Sequence, residues 1–274
     1  MKRSIKRFRM GEIMVILKHE LKMNIKQLFI WMICVGASCL GCILLFNGLK
    51  ESMEEMALAY AQMGTFSTAL GLDKMNVSTM EGFYATEVAI IFAIGGAMFA
   101  AMAGVMVLSK EEEGHTAEFL YTLPLGRFII VFWKYLSVAV QIFLFNFGCI
   151  CLCLAGFAIA GEMPPGRELL LFHGAQFLMH LEVGSVCFLI SACCKRKQTG
   201  AALGFAVLLY VVDLMCRIVP DIENLKYVTP YYFSNAADIF VKESVDGTML
   251  WIAVCVMVLT TGLAAVIYQK RDLS

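Results

Sequence analysis

The residue types that could do chemistry in this chain are few, and their spacing excludes most reactions. Cys149, Cys151 and Cys153 offer thiols in a Cys-x-Cys-x-Cys run. Residues two apart on a helix do not share a face, and no His or carboxylate adjoins them, so packing is the reading rather than a metal site. Cys34, Cys39, Cys42, Cys187, Cys216 and Cys255 also sit in apolar runs, where Cys behaves as a small hydrophobe. Cys193-Cys194 lies beside Lys195-Arg196-Lys197 and is open to modification or redox chemistry, although packing accounts for it too. The 11 cysteines therefore do not read as a disulfide framework. No His-Glu-x-x-His and no Gly-x-x-x-x-Gly-Lys-Ser/Thr phosphate loop is present. No catalytic residue and no bound cofactor or metal is expected.

Ionisable groups inside apolar runs are costly and are functional candidates by default. Glu182 is the deepest. His173, Gln176 and His180 form a stripe on one helical face, with Glu182 roughly opposite. Either face could line a path or a subunit interface, and Glu182 could instead be hydrogen-bonded internally. Asp213 and Arg217 are four apart in the favourable order and read as a structural pair. Glu87 reads as interfacial. Lys134 and Gln141 share a face towards the cytoplasmic side, with Lys134 placed to snorkel to the interface.

The elements that hold these groups are membrane helices. The 274 residues are 60% hydrophobic and only 16% charged, against about 25% charged in soluble domains. Apolar runs exceed the roughly 18 residues that a helical crossing needs. Spans are expected near 27–49, 83–108, 129–160, 169–193, 199–219 and 249–268. The third exceeds a simple crossing and is expected to tilt or project. The fold class is thus all-α, a polytopic membrane protein over 1–274 with no internal repeat and no separate soluble domain. Net charge is zero, which gives no electrostatic case for nucleic acid. The first apolar run is too long for a cleaved signal peptide and is expected to remain as an anchor.

Residues 1–26 precede the first span. Ile13, Ile16, Leu17 and Leu21 share a face, which predicts an amphipathic helix on the inner leaflet. Met53, Met56, Ala57 and Tyr60 predict a short interfacial helix outside. Pro164-Pro165-Gly166 predicts a tight turn. Residues 220–247, broken by Pro220 and Pro230, are expected as an extracellular segment. With the N-terminus inside, 16 of the 22 basic residues fall on the cytoplasmic side. Both termini and residues 110–127 are then cytoplasmic.

That 110–127 loop is a polar island between spans. Thr116 can cap a helix, with Glu118 in its first turn. Ala117, Leu120 and Tyr121 share a face, and Pro124 ends the helix. Two turns are not stable alone in water, so the helix must pack on something. The Glu111-Glu112-Glu113 cluster does not suit an anionic inner leaflet, which favours a protein partner.

At this loop the chain resembles the ABC-2-type transporter permease family, whose first cytoplasmic loop runs roughly Glu-x-x-Gly-Thr-x-Glu-x-Leu-x-x-x-Pro-x-Ser-Arg. Glu112, Thr116, Glu118, Leu120, Pro124 and Arg127 match. His115 stands where the family usually has Gly, with Gly114 one position early, and Gly126 replaces a common Ser. The resemblance extends to the basic N-terminal helix, six spans, Tyr227-Val-Thr-Pro-Tyr-Tyr-Phe233 and Tyr268-Gln-Lys-Arg-Asp272.

The resemblance implies that Glu111, Glu112, Glu113, Thr116, Glu118, Leu120, Pro124 and Arg127 form a coupling loop. It would dock on a separate ATP-binding cassette subunit, which would hold ATP and Mg. A second permease subunit, identical or related, would complete the assembly in a bacterial cytoplasmic membrane. The expected role is the non-enzymatic permease of an exporter for an amphipathic peptide, drug or lipid-like cargo. The alternative is a membrane scaffold or sensor that moves nothing. Too few polar residues line the spans for an ion channel.

Overall fold

The computed structural model describes residues 2–61, 64, 67, 71–72, 74–114 and 126–270. Among these, the secondary structure is helical, with no strand. We label the helices α1 (Lys2–Ala61), α2 (Met80–Glu113), α3 (Arg127–Ala160), α4 (Gly166–Cys193), α5 (Thr199–Ile218), α6 (Ala236–Lys242) and α7 (Gly247–Lys270). Six of them, all but α6, have stretches long and apolar enough to cross a membrane. Five of the six expected spans fall within one of these helices, and the fifth, 199–219, overruns α5 by one residue.

The first helix differs from expectation in its limits. It runs unbroken for 60 residues, about 90 Å at 1.5 Å per residue. The first proline in the chain is Pro124, so nothing in α1 removes a backbone donor or forces a kink. The N-terminal stretch and the Met53–Tyr60 stretch are therefore continuous with the helix that carries the first span, Val15–Lys50, and are not separate helices. This extension carries Glu20 alongside the other helices.

Helices α2 and α4 form the centre. Of their most apolar windows, 67% and 61% is buried, against 17% for α7 and 28% for α1 and α5. Close approach explains this centrality. A methyl on Gly104 would lie 2.3 Å from the Gly184 carbonyl oxygen, so the two backbones touch there. Small residues let membrane helices approach this way. The His180 ring fills the space a methyl on Gly96 would need, at 2.2 Å. Near its N-terminal end α2 contains a π-helical turn, Tyr84–Val88, and Tyr84 is fully buried in the core.

The 220–247 stretch, expected as an extracellular segment, packs closely on the bundle. After a 3-10 helix, Pro220–Tyr227, the chain folds back along α5. Thr229 Oγ1 donates to the Leu209 carbonyl at 2.9 Å, and Tyr231 OH donates to that of Ala206 at 3.2 Å. Leu209 lies nine residues, about 14 Å, below the end of α5. The Ser234 carbonyl accepts from Gln176 Nε2 at 2.8 Å. Non-helical backbone persists at such depth only when buried in protein and satisfied. Asn235 then caps α6 through the Asp238 amide.

Candidate functional site

Residues 115–125 lie outside the described residues, so the structure says nothing of Thr116, Glu118, Leu120 or Pro124. Both stems of the loop are described, and each is bonded to the other helices. At the α2 stem, Glu113 Oε2 accepts from the Lys197 backbone amide at 2.8 Å, between α4 and α5. At the α3 stem, Arg127 Nη1 donates to the Gln269 carbonyl at 3.0 Å. A cation at the C-terminal carbonyls of α7 also complements that helix dipole.

The third tie is ionic. Lys134 is 0% exposed. Its ammonium donates to Glu20 Oε1 at 2.8 Å, to the Val107 carbonyl at 3.0 Å and to Glu111. Lys110 pairs with the other oxygen of Glu20. Lys134 therefore does not snorkel. The unbroken α1 brings Glu20, only 2% exposed, close enough to satisfy it inside. Gln141 is also buried, bonded to the Ser137 carbonyl, and lines a small pocket with Asn24, Gln27 and Met106. Sequence reasoning missed Glu20. The available signal was an acidic residue among Lys18, Lys22 and Lys26, where a surface-binding basic face has no use for it.

The intramembrane groups are dispersed rather than convergent. Tyr84 OH and His173 Nε2 lie 3.0 Å apart. His180 Nδ1 is 3.0 Å from Asn146 Oδ1, and its Nε2 is 3.3 Å from the Ala93 carbonyl. Phe92 packs edge-on against both rings. The histidine face thus lies inside the protomer, between α4, α2 and α3. Glu182, 7% exposed, lines a cavity of about 10 Å³ with Thr229, Phe233 and Met249. Such a space holds one water at most. Its Oε2 has no protein partner. Both faces of α4 are therefore internal, and neither lines an open path in this conformation.

Asp213 and Arg217 pair at 3.0 Å. The guanidinium also reaches Asp238 at 2.7 Å and the Tyr232 carbonyl at 3.2 Å, and stacks over the Tyr232 ring at 4.4 Å. Lys74 pairs with Asp238 at 2.8 Å. This cluster fastens the folded-back segment to the end of α5. Burial opposes ionisation of Asp238, but hydrogen bonds from Lys74 and Arg217 hold its carboxyl below the ordinary aspartate value.

Cys149 and Cys153 point into the core while Cys151 is exposed, so the three thiols do not converge. Among the described residues no group of three or more His, Cys, Asp or Glu could hold a metal.

Six apolar helices around a close-packed α2–α4 centre define a multi-pass α-helical membrane protein. Its distinguishing feature is a polar loop whose stems are bonded to α1, to α7 and to the link between α4 and α5. The family profile described as "ABC-2 family transporter protein" matches residues 14–273. The chain belongs to that family, and it is the permease component of an ABC exporter. No curated protein matches it significantly.

Proposed function

We propose that this chain moves cargo across the bilayer by alternating access, driven by ATP that a separate cassette subunit hydrolyses. Residues 110–127 receive the motion of that subunit. The observation that carries this reading is the set of ties at the two loop stems: Glu20 in α1, Lys197 between α4 and α5, and Gln269 in α7. A loop fastened at its stems to α1, to α7 and to the α4–α5 link passes its motion to those elements. The acidic Glu111-Glu112-Glu113 stretch suits a partner surface with basic groups. ATP and Mg belong to the partner in this reading, since the 274 residues carry no phosphate loop.

A second permease, identical or related, completes the pore in this proposal. The side bearing the loop faces the bacterial cytoplasm, because Lys195, Arg196 and Lys197 lie on that side. An amphipathic peptide, drug or lipid-like molecule suits the apolar bundle as cargo.

The test is co-purification of the chain with the cassette subunit, followed by ATPase measurement in vesicles. Charge reversal at Glu112 and Glu118 together is expected to abolish stimulation of the ATPase. Absence of a complex, with stimulation indifferent to those reversals, would sink the coupling reading. Normal assembly with no flux and an ATPase insensitive to this chain would favour a scaffold or sensor instead. Orientation is checked separately: an impermeant maleimide is expected to label exposed Cys193 in inside-out vesicles and not in intact cells.

A further inference from the structure

We infer that Glu20 and Lys134 are positioning residues that make the first span a third stem of the coupling loop. This rests on the coupling reading above. Lys134 sits two turns into α3, just after the loop, and Lys110 and Glu111 sit in the last turn of α2, just before it. Glu20 comes from neither stem. It enters from α1 and bonds to one of them at each oxygen, Lys134 on one side and Lys110 on the other.

The bonding capacity of the Lys134 ammonium is exhausted. An ammonium has three hydrogens, and those of Lys134 go to Glu20, Glu111 and the Val107 carbonyl. Two carboxylates face two ammoniums, so the buried set is neutral. Loss of Glu20 leaves Lys134 with one carboxylate in place of two, and leaves Lys110 without its partner across the helices. The loop stems then lose their link to α1 while keeping the links of Glu113 to Lys197 and of Arg127 to Gln269.

Stability does not by itself explain this cluster. A buried ion set can commonly be replaced by apolar residues at no loss of stability. What charges supply that apolar contacts do not is a fixed register between three helices, with one allowed set of partners. Rigid helices are the elements that carry coupling between distant sites. Helix α1 continues without interruption from Glu20 to Ala61, so a tilt imposed at Glu20 reaches the opposite side of the bundle.

The experiment uses the purified complex of this chain with its cassette subunit in lipid vesicles, with ATP as the only added ligand. Glu20→Gln is expected to lower the kcat of stimulated hydrolysis about fivefold or more, a coupling loss typical of allosteric links. The KM for ATP and the amount of cassette subunit bound should stay unchanged. Glu20→Gln with Lys134→Met removes one charge of each sign, so it leaves no uncompensated charge and remains a test if the single variant misfolds. It should be equally uncoupled at an unchanged melting temperature. Lys134→Arg keeps the charge and donors and should retain stimulation. Wild-type stimulation in the single and double variants overturns the inference and leaves the coupling reading standing. No stimulation by the wild-type chain overturns both.

Discussion

Gly104 gives the most direct test of the central packing. The variant Gly104→Ala places a methyl 2.3 Å from the Gly184 carbonyl oxygen. Tolerated C···O contacts begin at about 3.3 Å, so α2 and α4 must separate by about 1 Å. The clash is with backbone, and a rotamer change cannot relieve it. Gly184 is itself confined, since its own methyl would meet Ile142 Cδ1 at 2.9 Å. Overpacking of this kind costs about 1–3 kcal/mol. For a chain of this size that lowers the melting midpoint by about 2–10 °C. Gly200→Ala is the control, because nothing lies within 4 Å of its added methyl. Alanine also favours the helix there. Both variants would be heated in detergent and the surviving monodisperse fraction read by size exclusion. If Gly104→Ala melts within about 1 °C of the wild type, or no lower than Gly200→Ala, the close α2–α4 crossing is wrong.

Three further outcomes are expected. Arg217→Met strands the buried carboxylate of Asp213, while Asp238 keeps Lys74, and should cost about 3–5 kcal/mol, measured as a fall in melting midpoint. Arg217→Lys should rescue little of it, because one ammonium does not reproduce the guanidinium fork. Asp238 titrates lower folded than unfolded, so its contribution is complete above the ordinary aspartate value of about 3.9. It is lost only as pH falls through the lower folded value, and protease resistance of the 229–242 region should stay flat from neutral pH to about 4 and then drop. His173→Phe leaves the Tyr84 hydroxyl buried without its partner, which should cost about 1–3 kcal/mol. Adding Tyr84→Phe should recover part of that loss, and a double-mutant cycle on the two positions measures the coupling.

Much of the fold is legible in the sequence because span length and hydropathy are local properties. The six crossings, the helical class and the Asp213–Arg217 pair all follow from spacing within one segment. The loop carries its own signature, and its family pattern agrees with the profile match over residues 14–273. Helix limits were less legible. Charged residues before residue 27 suggested a boundary, but charge alone does not break a helix that contains no proline. The folded-back segment at 229–235 was also hidden, since Pro220 and Pro230 signal breaks and not where the chain goes next.

The sequence by itself determined that this protein lives in a membrane as a helical bundle and presents a polar loop of the ABC-2 type. Burial of apolar runs and exclusion of charge act residue by residue, so composition and order suffice for that much. Only the tertiary structure decided which charges meet. Glu20 and Lys134 are 114 positions apart, and Arg217 and Asp238 are 21 apart. Lys134 alone reads as a snorkelling residue, and Arg217 as the partner of Asp213 only. Their satisfaction inside the protein depends on helices packing within hydrogen-bond reach, as α1 and α3 do where Gly36 meets Cys149 and Gly148 meets Met32.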